Sequence, residues 1–379
     1  MGKFISDTIK YSYNDISIVP AVISDIEHRA ECNPYDDKGM LPLFTAPMDS
    51  VVNLENFKTF EEHGITPILP RTENLIDRLG FSTNGKWAAF SLQEFEAHFT
   101  KSDLFDKKTD EPIRALIDIA NGHVSRLYKA ARDARKIYGD NIKIMVGNIA
   151  NPETYRVCVE SQVDYVRCSV GTGAGCITAS NVSIHYPVAS LISEIHEIKK
   201  ELIEHGADEK RLTKIVADGG IRNYSDVIKA LALGADYVMI GSVFAKMLES
   251  AAIKRCNSKE WHSLPLLTKL SDIDNIHRDG NGWKGTFDGK EVFLGDITAV
   301  FYGMASRAGQ IAMKGEKTHT SEGIEKRLPV LYTMKTWVEN MTDYLRSAMS
   351  YTGSRTLDDF RNNAKVIVIS KNTYESVNK

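Results

Sequence analysis

The stretch TKIVADGGIRNYSDVIKALALGADYVMIGS, residues 213–242, holds one pattern twice. A short apolar run ends in Asp218, Gly219 and Gly220, an amphipathic segment follows (YSDVIKALALGA, 224–235), and a second apolar run ends in Gly241 and Ser242. Apolar runs without alternation read as strands buried on both faces, and the helices between them cover a parallel sheet. Outward from this stretch the unit recurs. LPLFTA (41–46), ITPILP (65–70), WAAFSL (87–92), IRALID (113–118), IKIMVGN (142–148) and DYVRCSV (164–170) join TKIVADGG (213–220) and DYVMIGS (236–242) to make eight runs. VSRLYKAARDARKIYG (124–139) shows the same helical period. Eight such units predict an α/β chain folded as one (β/α)8 TIM barrel over residues 1–379. A doubly wound open sheet is the alternative.

Two stretches depart from the alternation. Residues 70–112 read as an extended connection between the second and fourth strands, with one short strand inside it. Residues 247–330 read as a long insertion after the eighth strand, rich in Gly, Lys, Asp and Glu, of the kind that serves as a lid or flap. The chain closes with a helical stretch, MKTWVENMTDYLRSAM (334–349), and a polar tail.

Composition narrows the function class. Hydrophobic residues make up 42% of the 379, enough for a large core. The net charge of −3 leaves no electrostatic footprint for nucleic acid. No apolar run approaches the roughly 18 residues of a membrane span. The N-terminus lacks a signal-peptide hydrophobic region. Its MGKFIS start fits the loose myristoylation pattern, but no polybasic patch supports an acyl anchor. Five cysteines, at 32, 158, 168, 176 and 256, are odd in number and form no CxxC pair. They predict neither a disulfide framework nor a zinc site, and suit a reducing cytoplasm.

Residues just past each barrel strand line the active face. These are Asp49 after the first strand, Asp118, Asn121 and Gly122 after the fourth, Gly147 and Asn148 after the fifth, SVGTGAGCIT (169–178) after the sixth, Asp218–Gly220 after the seventh, and Gly241 and Ser242 after the eighth. Glycine turns that lead into helices after strands seven and eight predict a phosphate cradle, because backbone N–H groups and helix N-termini favour an anion. Asp218 would repel phosphate and suits a ribose diol instead. The loop from Gly171 to Thr178 presents Cys176 among three glycines, where backbone dipoles favour a thiolate nucleophile. Thr178, two residues on, would relay a proton if a carboxylate oriented it. Cys158 and Cys168 fit the simpler role of small buried hydrophobes. Residues 301–330 mix a glycine turn, a charged stretch and a Glu-Gly, for which a solvated loop is the bland alternative.

These residues carry a resemblance. APMDS (46–50), DIANG (118–122), GNIANPET (147–154), VGTGAGCIT (170–178), ADGGIRNYSDVIKALALGADYVMIGS (217–242), FYGMAS (301–306), EGIE (322–325) and RSAMSYTGSRTLDDF (346–360) resemble the IMP dehydrogenase / GMP reductase family over nearly the whole chain. The resemblance implies a purine nucleoside monophosphate as substrate and a cysteine that attacks C2 of the purine, which exchanges a hydride with a nicotinamide cofactor. It implies Cys176, Thr178 and Glu322 as the catalytic set. It places Met48, Asn148, Gly175, Asp218, Gly219, Gly220, Gly241, Ser242, Tyr302, Gly303, Met304 and Ala305 around the nucleotide. Asp118, Asn121, Gly122, Gly171, Thr172, Gly173 and Ser306 would meet the cofactor. By the same analogy K+ would rest on the carbonyls of Gly171, Gly173 and Cys176, and the assembly would be a homotetramer.

The connection at 70–112 is too short for the two regulatory domains inserted in the dehydrogenases that the chain resembles. No Arg-Tyr pair, which in dehydrogenases activates water, stands between Tyr302 and Glu322. DIANG and FYGMAS look like the reductase versions. The expectation is therefore NADPH-dependent reduction of GMP to IMP and ammonia. The alternatives are NAD-dependent oxidation of IMP, a catalytically inactive nucleotide sensor, and an FMN-dependent barrel oxidoreductase, which leaves the cysteine loop unexplained. Ala174 stands where the family usually has a phosphate-binding serine, which leaves that contact to backbone N–H groups.

Overall fold

The computed structural model describes residues 8–101, 111–265, 268–316, 320 and 323–377. One sheet contains eight strands: β1 Leu43–Thr45, β2 Ile68–Leu69, β3 Trp87–Phe90, β4 Ile113–Asp118, β5 Ile142–Ile149, β6 Tyr165–Cys168, β7 Lys214–Asp218 and β8 Tyr237–Ile240. Neighbours pair in parallel in the order β1-β8-β7-β6-β5-β4-β3-β2. The two ends of that order meet at a parallel bridge between Phe44 and Thr66, where Thr45 N donates to Thr66 O at 3.1 Å and Thr66 N donates to Leu43 O at 3.0 Å. The bridge closes the sheet into the (β/α)8 barrel that the eight runs predict, and the open sheet is excluded.

Alternation along each strand separates two cores. Phe44, Trp87, Leu116, Met145, Val216 and Met239 point inward and fill the barrel. Trp87 and Tyr165 meet edge to face with centroids 5.2 Å apart, and Phe44 lies 6.0 Å from Trp87, so aromatic rings plug the interior. The alternate residues, among them Ile117, Ile144, Val166, Ile215 and Val238, pack outward against the helices. Both faces are buried, which is why the strands read as unbroken apolar runs. Each fully buried aliphatic side chain contributes about 1.5–3 kcal/mol.

The helices follow their apolar stripes. In Ser125–Tyr138, Leu127, Ala130, Ala131, Ala134 and Tyr138 form the buried face, and Gly139, at φ +56°, ends the helix. Val188–Glu204 buries Leu191, Ile192, Ile195 and also Lys199. The Lys199 ammonium donates to both Asp236 oxygens, at 3.0 and 3.1 Å, and Ile215 N donates to Asp236 Oδ2 at 2.7 Å. This buried pair ties that helix to β7 and β8.

Three stretches differ from the sequence reading. Residues 70–112 carry two helices, Leu75–Thr83 and Leu92–Phe99, on either side of β3. The first buries Arg78 and Ser82, so apolar periodicity does not reveal it. Arg78 donates to Glu94 Oε1 at 2.8 Å and to Ala89 O at 2.8 Å, which satisfies its charge inside the fold. The polar tail contains the strand Lys365–Val368, paired antiparallel with Ile16–Val19. The insertion at 247–330 is a folded unit with its own core, and its last part, 301–330, is not a plain solvated loop. Lys254–Cys256, Ile297–Tyr302 and Glu325–Pro329 form one antiparallel sheet; Asp274–Asp279, Gly282–Phe287 and Lys290–Gly295 form another. Cys256, Trp283, Leu294, Ile297 and Val330 pack between them, and Trp283 Nε1 donates to Val330 O at 3.1 Å. Residues 1–7, with the MGKFIS start, lie outside the described residues. No helix among the described residues is long and apolar enough to cross a membrane.

The Lys199–Asp236 pair makes a testable statement. Burial opposes ionisation of Asp236, yet Lys199, with Arg361 and Lys214, outweighs it and holds the carboxyl below its ordinary value. Its contribution is therefore present above the ordinary carboxylate pKa and lost as pH falls through the lowered one. Lys199→Met should cost at most about 3–5 kcal/mol at neutral pH, because it removes the nearest cation from a buried carboxylate and leaves it Lys214 at 3.6 Å. The gap in Tm between variant and parent should narrow as pH falls below the ordinary carboxylate range, read by scanning calorimetry. A gap that does not change with pH contradicts the assignment.

Candidate active site

The inward alternation that packs the barrel also builds its rim. Two residues beyond the inward Leu116, Met145, Tyr165, Val216 and Met239 come Asp118, Gly147, Arg167, Asp218 and Gly241. Arg167 is the centre of this layer. Its Nη1 donates to Asp118 Oδ1 at 2.6 Å, while Nε and Nη2 donate to Asp218 Oδ2 at 3.0 and 2.9 Å. Asn148 Nδ2 reaches the same Asp218 oxygen at 2.6 Å. Arg71 approaches Asp118 from outside, 3.8 Å from Oδ2. Burial works against the guanidinium's charge, but Asp218 and Asp118 outweigh it and raise its pKa further. The strand beside it makes room: a Cβ on Gly147 would lie 2.5 Å from the Cβ of Arg167. Sequence reasoning missed Arg167. Its signal is a lone arginine inside the apolar run YVRC.

The cysteine loop closes over this layer. Cys176 N donates to Gly173 O at 2.9 Å, and the Cys176 Sγ lies 3.2 Å from Thr178 Oγ1. Ser169 Oγ and Thr172 Oγ1 are in hydrogen-bond contact. Gly219 and Gly220, at φ +85° and +76°, form a left-handed turn that an L side chain disfavours. This turn packs on the loop, with Gly220 N donating to Thr172 O at 3.2 Å. Gly241 faces Met48, whose Sδ would be 3.3 Å from a Cβ there, and precedes the short helix Ser242–Ala245. Cys176, Thr178, Asp218, Gly219, Gly220, Asn148, Gly241 and Met48 are thus gathered at one mouth. Cys158 and Cys168 are buried, and burial pushes the Cys158 thiol up to about 12, far from a thiolate. All five cysteines are free.

The flap segments fit this mouth with two surprises. Tyr302, expected at the phosphate, donates its hydroxyl to Asp49 Oδ2 at 2.6 Å. Burial raises the Asp49 carboxyl above its ordinary value, against the lowering effect of the Tyr302 bond. Ser306, expected at the cofactor, is 2% exposed. It caps the helix Arg307–Lys314, with its Oγ accepting from Gly309 N at 3.1 Å. Gly122, also expected at the cofactor, spends its own polar groups inside the fold: its N donates to Asn148 O at 2.8 Å and its O accepts from Tyr128 at 2.6 Å. Asn121 and Gly173 are exposed, and Asp118, Gly171 and Thr172 are half-buried. Ala305 O accepts from Gln310 Nε2 at 3.2 Å, and Met304 O lies 2.5 Å from where a Cβ on Gly309 would be. Gly303 contacts Gly175. Glu322 lies outside the described residues. Among the described residues no group of three or more His, Cys, Asp or Glu could hold a metal ion.

The molecule is thus a (β/α)8 barrel whose rim carries a buried Arg–Asp network beside a glycine-rich cysteine loop. Comparison with known proteins gives the family. The model of the IMP dehydrogenase / GMP reductase domain matches residues 96–261 and 288–378, and the chain belongs to that family. The interruption at 262–287 falls on the strands Asp274–Asp279 and Gly282–Phe287. The chain is similar to the inosine-5'-monophosphate dehydrogenase of Borreliella burgdorferi, 28% identical over 70% of this chain and 58% of that one. The inosine-5'-monophosphate dehydrogenase of Rhodopirellula baltica is 28% identical over 68% of this chain and 41% of its own. The chain therefore spans about half the length of these dehydrogenases. A GMP reductase of Aliivibrio fischeri is 26% identical over 84% of this chain and 80% of its own.

Arg167→Leu leaves two carboxylates without their shared cation. It should lower stability by about 3–5 kcal/mol, measured by denaturant unfolding. Arg167→Lys keeps the charge but loses the fork that serves both partners, and should recover only part of that loss. Equal stability of Arg167→Leu and the parent would contradict the network's role.

Proposed function

We propose that the chain is an NADPH-dependent GMP reductase, which converts GMP to IMP and ammonia through a covalent adduct on Cys176. The observation that carries this reading is the nucleophile geometry: Cys176 Sγ at 3.2 Å from Thr178 Oγ1, on the rim where Asp218 and the Gly219–Gly220 turn converge. The Cys176 thiolate attacks C2 of the purine. The C2–N bond to the exocyclic amine breaks, and the nitrogen leaves as ammonia after accepting a proton through Thr178 and Glu322. When bound, reduced nicotinamide supplies the hydride that C2 receives, and the thiolate departs to leave IMP.

The rim residues have distinct tasks in this scheme. Asn148 and Arg167 both bond Asp218 Oδ2, and among the described residues none bonds Oδ1, which leaves that oxygen to accept from a ribose hydroxyl. Backbone N–H groups of Gly219, Gly241 and Ser242 hold the phosphate, and Gly220, whose N–H is spent on Thr172 O, shapes the turn between them. Met48, Gly175, Gly303, Met304 and Ala305 surround the base. Asp118, Asn121, Gly171, Thr172 and Gly173 would meet the cofactor, and the carbonyls of Gly171, Gly173 and Cys176 would hold a monovalent cation. A cytoplasmic homotetramer belongs to the same reading. Two observations favour reduction over oxidation: no Arg-Tyr pair stands between Tyr302 and Glu322, and the GMP reductase match extends over 80% of that relative's length.

Nicotinamide absorbance with GMP and NADPH, and with IMP and NAD, separates the readings. Loss of reduced cofactor with GMP, with ammonia released, is expected. Formation of reduced cofactor with IMP overturns the reductase in favour of the dehydrogenase. Silence in both points to a nucleotide sensor. Cys176→Ala should abolish turnover and leave nucleotide binding largely intact. Glu322→Gln should slow turnover by about 10²-fold or more. Asp218→Ala should chiefly weaken nucleotide affinity, read by calorimetric titration.

A further inference from the structure

The flap and the cysteine loop meet at three glycines. Ile324 N donates to Gly175 O at 3.0 Å, Gly303 N donates to Ile324 O at 3.3 Å, and Cys176 forms an antiparallel bridge with Gly323. The chains are too close for side chains. A Cβ on Gly175 would lie 2.8 Å from Gly303 N, and one on Gly303 would lie 2.4 Å from Gly175 O. One on Gly323 would lie 2.8 Å from Gly175 O and 2.9 Å from Ser306 N. All these partners are backbone, so nothing can rotate aside. None of the three glycines has a positive φ, so proximity and not conformation requires glycine here.

We infer that Gly175, Gly303 and Gly323 are positioning residues that fix the backbone of Cys176 to the flap at Gly303 and Gly323, so that nucleophile and these two anchor points move as one body. The inference rests on the reading of Cys176 as the nucleophile. Gly175 directly precedes Cys176, and Gly323 is the bridge partner of Cys176 itself. The flap side is anchored in turn. Phe301, 2% exposed, lies close to Gly303 on the strand Ile297–Tyr302, and its Cε1 would be 3.3 Å from a Cβ on Gly175. Ile297 and Ala299 of the same strand sit in the core that Trp283 completes. The inserted sheet, partly outside the family's matched region, thereby buttresses the strand against which the cysteine loop is held. A displacement on the order of 1 Å at a reacting atom costs about 10²-fold in rate.

The test is the alkylation rate of Cys176 by iodoacetamide across pH, followed by mass spectrometry on the full chain without nucleotide. Gly175→Ala and Gly323→Ala are compared with the parent and with Gly80→Ala, whose added Cβ meets nothing within 4 Å. The two junction variants should change the rate at Cys176 by about threefold or more, while Gly80→Ala leaves it unchanged. In a turnover assay, kcat should fall about 10²-fold with a much smaller change in KM. A change below about threefold in folded junction variants overturns the inference. Should neither variant fold, amide hydrogen exchange of the parent decides: a protected Ile324 N–H is expected, and exchange at open-loop rate overturns it. Alkylation needs no substrate, so failure of the reductase assay leaves this result standing.

Discussion

The constraint on which the rest of the site depends is a guanidinium inside a barrel. Arg167 stands on β6 where the strand alternation points it inward, and a buried cation there is tolerable only with matched carboxylates. Asp118 from β4 and Asp218 from β7 supply them, and Asn148 completes the coordination of Asp218. Gly147 on β5 leaves the volume that the side chain needs. Four strands are thereby tied to one another at their C-terminal ends by charge rather than by apolar contact. The network also sets which oxygens remain for a ligand, because it uses up Asp218 Oδ2 and Asp118 Oδ1.

Over this layer the cysteine loop and the flap form a second layer, joined largely by backbone contacts. The loop is held from below by the Gly219–Gly220 turn and from the side by Gly303 and Gly323. Contacts of this kind are stiff: a backbone dipole cannot change rotamer. Cys176 Sγ and Thr178 Oγ1 lie 3.2 Å apart beside a flap whose root is packed by Trp283. The strands Asp274–Asp279 and Gly282–Phe287 lie between the two matched stretches, and their core reaches the strand that carries Tyr302.

Much of the fold was legible because burial on both faces of a parallel sheet forces an unbroken apolar run, and each of the eight runs became a strand. The helices Ser125–Tyr138 and Val188–Glu204 follow the same logic of the apolar stripe. Leu75–Thr83 was not legible, because its buried face includes Arg78 and Ser82, whose partners Glu94, Ala89 and Arg114 are remote in sequence. The strand Lys365–Val368 was hidden for a related reason. It is exposed on its own and exists through pairing with Ile16–Val19, more than three hundred residues earlier.

The sequence by itself determined the barrel, the positions of the strand ends, and the cysteine loop, since each follows from local pattern: period, glycine spacing, and the residue after a run. It also marked Asp218, Gly219, Gly220, Gly241 and Cys176 as neighbours, because barrel topology places all strand ends on one face. Only the tertiary structure decided what each polar group does there. Arg167 became the bridge between Asp118 and Asp218, Tyr302 turned to Asp49, Ser306 became a helix cap, and Gly122 was absorbed into the packing. A hydrogen bond is decided by distances of a few tenths of an ångström between segments far apart in the chain, and local pattern carries no information on that scale.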